Sequence, residues 1–358
     1  VGLSQRSRAG LDILGGMLKY SAVELRDAAR RTFEAAPEGA ELIQTHAEVS
    51  SAAEMAEHVQ RAKTLALSDP TYRMERFVQR FVAEEMMNRN VVAAEEKRAD
   101  HLRMDSIPRQ GAGGKLELDP KLEMPDYYDG VNYHLSVPDI EDYDLGSKGG
   151  GIGLVFRYGG FAAVPPGANI AQHRVEVIQQ FPKTSYDRIL EIGCGGLFTL
   201  MTLHKAFPDA ELVGCDLAAR YLTQAHDMAE RMGFKVDLKQ RDARHTGEPD
   251  SSFDGVFSYA VHHEAPVPVN IEMFQEVFRV LKPGGDFVIS DPPPFRAVDP
   301  FHAAILEWDN DHREEPYFTE TCLANWDEEL RKIGFVDVES YGLGPGAYPY
   351  VTRATKPA

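Results

Sequence analysis

Cysteine is scarce, positive charge is outnumbered and long apolar runs are missing, and each shortage closes off a class of function. The three cysteines, Cys194, Cys215 and Cys322, lack the spacing of metal ligands, which points to a reduced, cytoplasmic protein. Lys and Arg number 38 against 56 Asp and Glu, a formal charge of −18. Such a surface repels a phosphate backbone, so nucleic acid is not an expected partner. No apolar run reaches the roughly 18 residues of a membrane helix, and no basic segment followed by an apolar core opens the chain. A membrane is therefore not expected as a partner either. What remains is ordinary for a globular protein: 43% hydrophobic residues in 358, enough for one large domain with an appendage or for two domains.

The rest of the chain is organised around Tyr186 to Gly196. A short apolar run ends in an acid, Glu191, and a glycine-rich turn, and Leu197 to Phe207 then reads as a helix. That places the turn where a parallel strand hands over to its crossover helix. A second strand, Glu211 to Cys215, ends in Asp216. An acid about 20 residues beyond the turn is placed to accept hydrogen bonds from ribose hydroxyls. A dinucleotide site wants G-x-G-x-x-G, and Phe198 stands where its third glycine should be, which weighs against a nicotinamide-dependent oxidoreductase. Glycines that only permit tight packing would not explain acids at the tips of two successive strands.

The segment from Glu191 resembles motif I of the class I S-adenosylmethionine-dependent methyltransferases, an acid, any residue, then Gly-x-Gly-x-Gly. Glu191, Gly193 and Gly195 match; Leu197 holds the third glycine position and Gly196 lies one place early. Arg241-Asp242-Ala243 looks like the family's third-strand end, Phe253 to Ser258 like its fourth strand, and Leu281-Lys282-Pro283-Gly284-Gly285 like the turn into its fifth. The likeness covers roughly residues 170 to 355. It implies a Rossmann-like, doubly wound α/β sheet of seven strands with the last antiparallel. It also implies S-adenosyl-L-methionine as cofactor, held by Glu191, Gly193, Cys194, Gly195, Asp216, Leu217, Asp242, Ala243 and Ser258.

Residues 1–165 are expected to form a mostly helical domain serving dimerisation or as a substrate lid, and 166–358 the cofactor domain. Ser21 with Glu24 has the form of a capping box. A helical run covers Glu41 to Leu67, and a third begins near Thr71 with Met74, Phe77, Val78, Phe81, Val82, Met86 and Met87 at helical intervals. That stripe is either core or the interface of a homodimer. Periodicity disappears from 105 to 170, where Gly149 to Gly153 follows no strand and reads as a hinge.

For chemistry, His262-His263-Glu264 follows the fourth strand and faces the expected cofactor cleft. His263 and Glu264 are the catalytic candidates, with His263 either a general base or a wall of the pocket. The chain before the first strand and the insertion after the fifth are long enough to roof that edge. They supply the acceptor-binding candidates Tyr127, Tyr128 and Tyr158 on one side and Trp308, Asp309, Glu315 and Tyr317 on the other, with His262 between them. Asp309-Asn310 suggests a metal site only superficially, and none is expected. Asp291-Pro292-Pro293-Pro294-Phe295 looks like the Asp-Pro-Pro motif of nucleic-acid amino-methyltransferases, but it closes the fifth strand instead of the fourth. The expected activity is methyl transfer to a small molecule at oxygen, sulfur or nitrogen. The alternatives are an NAD(P)-dependent oxidoreductase and a non-catalytic cofactor-binding or interaction protein.

Overall fold

Eight runs of chain make one sheet: β1 (Leu116–Glu117), β2 (Arg188–Ile192), β3 (Glu211–Asp216), β4 (Asp237–Gln240), β5 (Phe253–Tyr259), β6 (Leu281–Asp291), β7 (Val336–Gly342) and β8 (Tyr350–Thr355). The computed structural model that shows them describes residues 3–103, 108–135 and 170–358. The strand order is β1-β4-β3-β2-β5-β6-β8-β7, parallel from β1 to β6, with β8 antiparallel to both its neighbours. The central strands are near-continuous apolar runs because both faces are covered. Val177, Leu200 and Leu222 pack on one side with the helices Ile170–Ile178, Phe198–Ala206 and Ala219–Met232, and Phe274, Val277 and Leu330 on the other with Val267–Val280 and Trp326–Ile333.

The sheet thus has eight strands, not the expected seven. The extra one, β1, pairs in parallel with β4 and is tied down by Leu238 N donating to Lys115 O (2.8 Å) and Lys115 N to the Asp237 carboxylate (2.9 Å). Two residues carry no readable periodicity, so a strand lies inside the stretch where the pattern is lost. The Lys282 to Gly285 turn also proves to be an excursion within β6. Leu281 pairs with Phe253, and the ladder resumes with Asp286 opposite Gly255.

Ahead of the sheet lie α1 (Gln5–Tyr20), α2 (Arg26–Ala35), α3 (Pro37–Thr45), α4 (Ala52–Ser68) and α5 (Pro70–Glu95). Ser21 begins no helix. It sits fully buried in a π-helical turn between α1 and α2, donating to Leu18 O (2.9 Å) and accepting from Gln79 Nε2 (2.8 Å). The capping box is Ser51 with Glu54, at the start of α4, and the run read as one helix from Glu41 breaks between α3 and α4. The α5 stripe divides between two faces. Val82 and Met86 pack on Leu11, Leu14 and Leu18 of α1, while Phe77 and Phe81 stack on each other facing outward, 66% and 39% exposed.

The helical region shares a core with the cofactor fold. Phe33 and Tyr72 meet Phe301, on the helix Pro300–His312, edge to face at 5.4 and 5.8 Å. Beside them lies a buried ionic seam. Glu75 accepts from Arg26 Nη2 (3.0 Å) and Arg76 Nη2 (2.6 Å), and Asp309 pairs with Arg313 at 3.2 Å. Among the described residues no helix is long and apolar enough to cross a membrane.

Candidate active site

The glycine turn after β2 is held by the neighbouring strand. Asp216, at the tip of β3, accepts from Gly195 N (2.7 Å) with one carboxylate oxygen and from Ala218 N (2.9 Å) with the other. Burial raises its pKa, against those two hydrogen bonds. Gly193 has φ of +62°, and a Cβ there would lie 2.4 Å from Val261 Cγ2, so the turn touches the loop after β5. Leu197 is 2% exposed, in the core at the start of the next helix, so a side chain stands where the family pattern has glycine. Glu191 is buried, and burial pushes its carboxyl well up despite Arg174 and Thr199; its Oε2 has no hydrogen-bond partner among the described residues.

Other expected cofactor contacts stand differently. Asp242 is already engaged: its carboxylate accepts from Arg244 N (2.9 Å), Nε (3.0 Å) and Nη2 (2.7 Å). The Arg244 guanidinium in turn lies over the Tyr127 ring, 5.5 Å from its centre. Ser258 is fully buried within β5, opposite Ile192 and Ile289, and so sits inside the sheet, not at its edge. Cys194 is buried too, its thiol pushed well up by burial, and it offers the turn only its backbone. Leu217 and Ala243 are half-buried at the tips of their strands. Among the described residues, a buried acid with one oxygen unsatisfied, a half-buried strand-tip carboxylate and a Gly195 with nothing within 4 Å of its notional Cβ fit a nucleoside-bearing cation.

Two distant segments meet above the end of β5. Tyr133 Oη donates to Glu264 O (2.8 Å) and Tyr127 O (3.2 Å), and Tyr317 Oη donates to Tyr127 O (3.0 Å). Tyr128 packs on Tyr133, ring centres 5.5 Å apart. His134 lies 3.3 Å from Glu264 through Nε2 and contacts Glu315 through Nδ1. Tyr158 and residues 149–153 lie outside the described residues.

His263 Nδ1 sits 2.8 Å from Asp291 Oδ1, at the end of β6, and its ring is 5.9 Å from that of His134. Burial opposes its charged form, but Asp291, Glu315 and Glu264 outweigh that and raise the pKa to about 9. Opposing burial is outweighed likewise at His134, chiefly by Glu315, with a pKa raised to about 10. His262 is the opposite case. Fully buried against Phe274, with Nδ1 2.6 Å from Asn270 Oδ1, it is held neutral by burial and belongs to the loop's own packing, not to an acceptor pocket.

Two further expectations are corrected. Trp308 stacks on His312 with ring centres 4.2 Å apart and lies under Arg76, while Asp309 pairs with Arg313, so both face the helical region. Helical phase turns that face of the helix away from Glu315 and Tyr317, which follow its end. Sequence reasoning also passed over partners that no spacing reveals: Asp291 for His263, Arg244 for Asp242 and His134 for Glu315.

Residues 189–285 match the profile of the methyltransferase domain family, the stretch that carries the glycine turn, Asp216, Asp242 and His263. This stretch is thus a methyltransferase domain, similar to those of the class I S-adenosylmethionine-dependent methyltransferases. Similar proteins include a demethylmenaquinone methyltransferase of Symbiobacterium thermophilum, 32% identical over 28% of this chain and 41% of that one. Another is the methyltransferase phqN of Penicillium fellutanum, 26% identical over 54% and 60%. The matched stretch therefore spans less than two thirds of either relative. A solved structure of Haemonchus contortus phosphoethanolamine N-methyltransferase 2 aligns over 67% of this chain and 62% of its own at 19% identity, with a TM-score of 0.45. The matched residues hold the glycine turn, β2 to β5 and the start of β6; the helical region, β1, β7, β8 and the two roofing segments lie outside them.

Proposed function

We propose that this chain transfers a methyl group from S-adenosylmethionine to a small polar acceptor at oxygen, sulfur or nitrogen. Supporting this above all is the meeting of Tyr127, Tyr133, His134, Glu315 and Tyr317 with His263 and Glu264 beside the glycine turn. Methyl transfer from a sulfonium is an in-line displacement, so alignment and exclusion of water do most of the work. Asp216 would hold the ribose hydroxyls, with Gly193 and Gly195 letting the cofactor approach the backbone. The cofactor supplies an activated methyl group.

Under this proposal the roof excludes water, and its carboxylates favour a polar or cationic acceptor over a polyanion. His263, oriented by Asp291, takes the acceptor's proton where the acceptor needs to lose one, and its raised pKa of about 9 confines that role to alkaline pH. The relatives' names include sterol, lipid and menaquinone methyltransferases, which span too wide a range of acceptors to select one. The test is transfer of radiolabelled methyl from S-adenosylmethionine to a panel of amines, thiols, phenols and carboxylic acids. Absence of S-adenosylhomocysteine binding by calorimetry would end the proposal, and transfer to none of the panel would remove its small-molecule half.

A further inference from the structure

The roof over β5 gathers more ligating groups than methyl transfer uses. His134, His263 and Glu264 each offer an atom such that all three lie within 4.8 Å of one another. Glu315 stands behind it, on the other nitrogen of His134. It is 2% exposed, touches His134 Nδ1 through Oε1, and its Oε2 is buried with no hydrogen-bond partner among the described residues. Asp291 engages His263 Nδ1, which leaves Nε2 as that ring's ligating atom and fixes its orientation.

We propose that His134, through Nε2, His263 and Glu264 bind one divalent first-row transition ion, with Asp291 orienting His263 and Glu315 orienting His134 from behind. Two imidazoles beside a carboxylate suit zinc, cobalt or iron(II) better than magnesium or calcium, which prefer all-oxygen shells. Three carboxylates converge here, and the positive charge they need comes either from protonated imidazoles or from a dication. A dication explains why each imidazole carries a carboxylate on its Nδ1, Asp291 on His263 and Glu315 on His134, an arrangement that fixes the ring of a metal ligand. His134 and Leu135 stand at φ of +60° and +58°, consecutive left-handed residues without glycine, which persist only where the surroundings hold them. The ligands come from two segments far apart in the chain, so no spacing announces them, and the sequence expectation of no metal is revised on this ground. An acceptor hydroxyl or carboxylate would find a coordination position beside the cofactor turn.

The ion would take the Nε2 that His263 needs as a base and so replaces that role, but the proposal is tested without methyl transfer. The full chain is stripped with a chelator, then titrated with Zn2+ against a chromogenic chelator and with Co2+ while visible spectra are read. One tight equivalent per chain is expected, with Co2+ bands of low symmetry. His134→Ala combined with Glu315→Gln should lose that equivalent, and Asp291→Asn should weaken it about 10- to 100-fold. A wild-type chain that leaves Co2+ with its pale hexaaqua spectrum overturns the proposal, and this needs no variant to fold. So does a double variant that keeps its circular dichroism and holds Zn2+ as well as wild type. Binding of S-adenosylhomocysteine, measured separately, reports on the methyl-transfer proposal alone.

Discussion

Replacing Asp216 by Asn tests the cofactor site at the atom that organises it. The two carboxylate oxygens accept from different backbone groups, Gly195 N at 2.7 Å and Ala218 N at 2.9 Å. A carboxamide has one oxygen, so its NH2 must face one of those N–H donors, and that contact turns repulsive. It also removes the charge that ribose hydroxyls would donate to. Losing a hydrogen bond to a charged group costs about 1.5 to 3 kcal/mol, which is about 10- to 150-fold in Kd for S-adenosylhomocysteine by calorimetry. The pH dependence carries a second signature. Burial raises the Asp216 pKa in the free protein, and ribose donors favour the carboxylate, so acidification should weaken binding from a pH above the usual aspartate range. Asp216→Asn should abolish that slope. A Kd within twofold of wild type, with the slope intact, would refute this account of the site.

Gly193→Ala places a Cβ 2.4 Å from Val261 Cγ2 at a φ of +62° and should lower stability by about 1–3 kcal/mol, read by thermal melting; an unchanged melt would mean the turn is not confined. His263→Ala should cut turnover with a responsive acceptor while S-adenosylhomocysteine affinity stays within about twofold, and normal turnover would remove its role. Glu75→Gln strands Arg26 and Arg76 in the core and should cost about 3–5 kcal/mol. Burial opposes the Glu75 carboxylate, but Arg76 and Arg26 depress its pKa below the ordinary value. Its contribution is therefore present above about pH 4.3, the unfolded value, and lost as pH falls through the folded one. Denaturant melts across that range should show the loss in wild type and not in Glu75→Gln.

The sheet was legible because its signals are local. An apolar run, an acid and a glycine turn lie within ten residues of each other, and the same grammar repeats from β2 to β6. The meeting of the two roofing segments over His263 was also within reach, since topology leaves few places for them to go. Which side chains they bring was not. Glu315 and Tyr317, just past the helix end, reach the roof, while Trp308 and Asp309, in its last turns, point at Arg76 and Arg313. That division depends on where the helix Pro300–His312 stops and on a partner hundreds of residues away, neither of which a residue's type encodes. Ser21 failed as a cap for a related reason: its hydroxyl had a tertiary partner, Gln79, that overrode the local pattern.

The corrected residues explain why a helical region precedes this sheet. Glu307 is held by Gln60 Nε2 (2.8 Å) and Lys63, Lys63 also reaches Asp311 (2.7 Å), and Tyr72 Oη donates to Ala304 O (3.2 Å). Three successive turns of the helix Pro300–His312, at Ala304, Glu307 and Asp311, are thus gripped by α4 and α5. The chain leaves that helix directly into Glu315 and Tyr317, so the position of one wall of the roof is set by contacts on the far side of the helix. Buried ion pairs add little net stability over apolar packing but strongly disfavour alternative registers, because a slip by one residue leaves charges unpaired. Placed here, they fix the rotation of a helix whose end carries the Glu315 carboxylate to His134. The helical region therefore acts on the site through geometry, and substitutions along the Arg76–Asp309 seam should move the roof before they unfold the sheet.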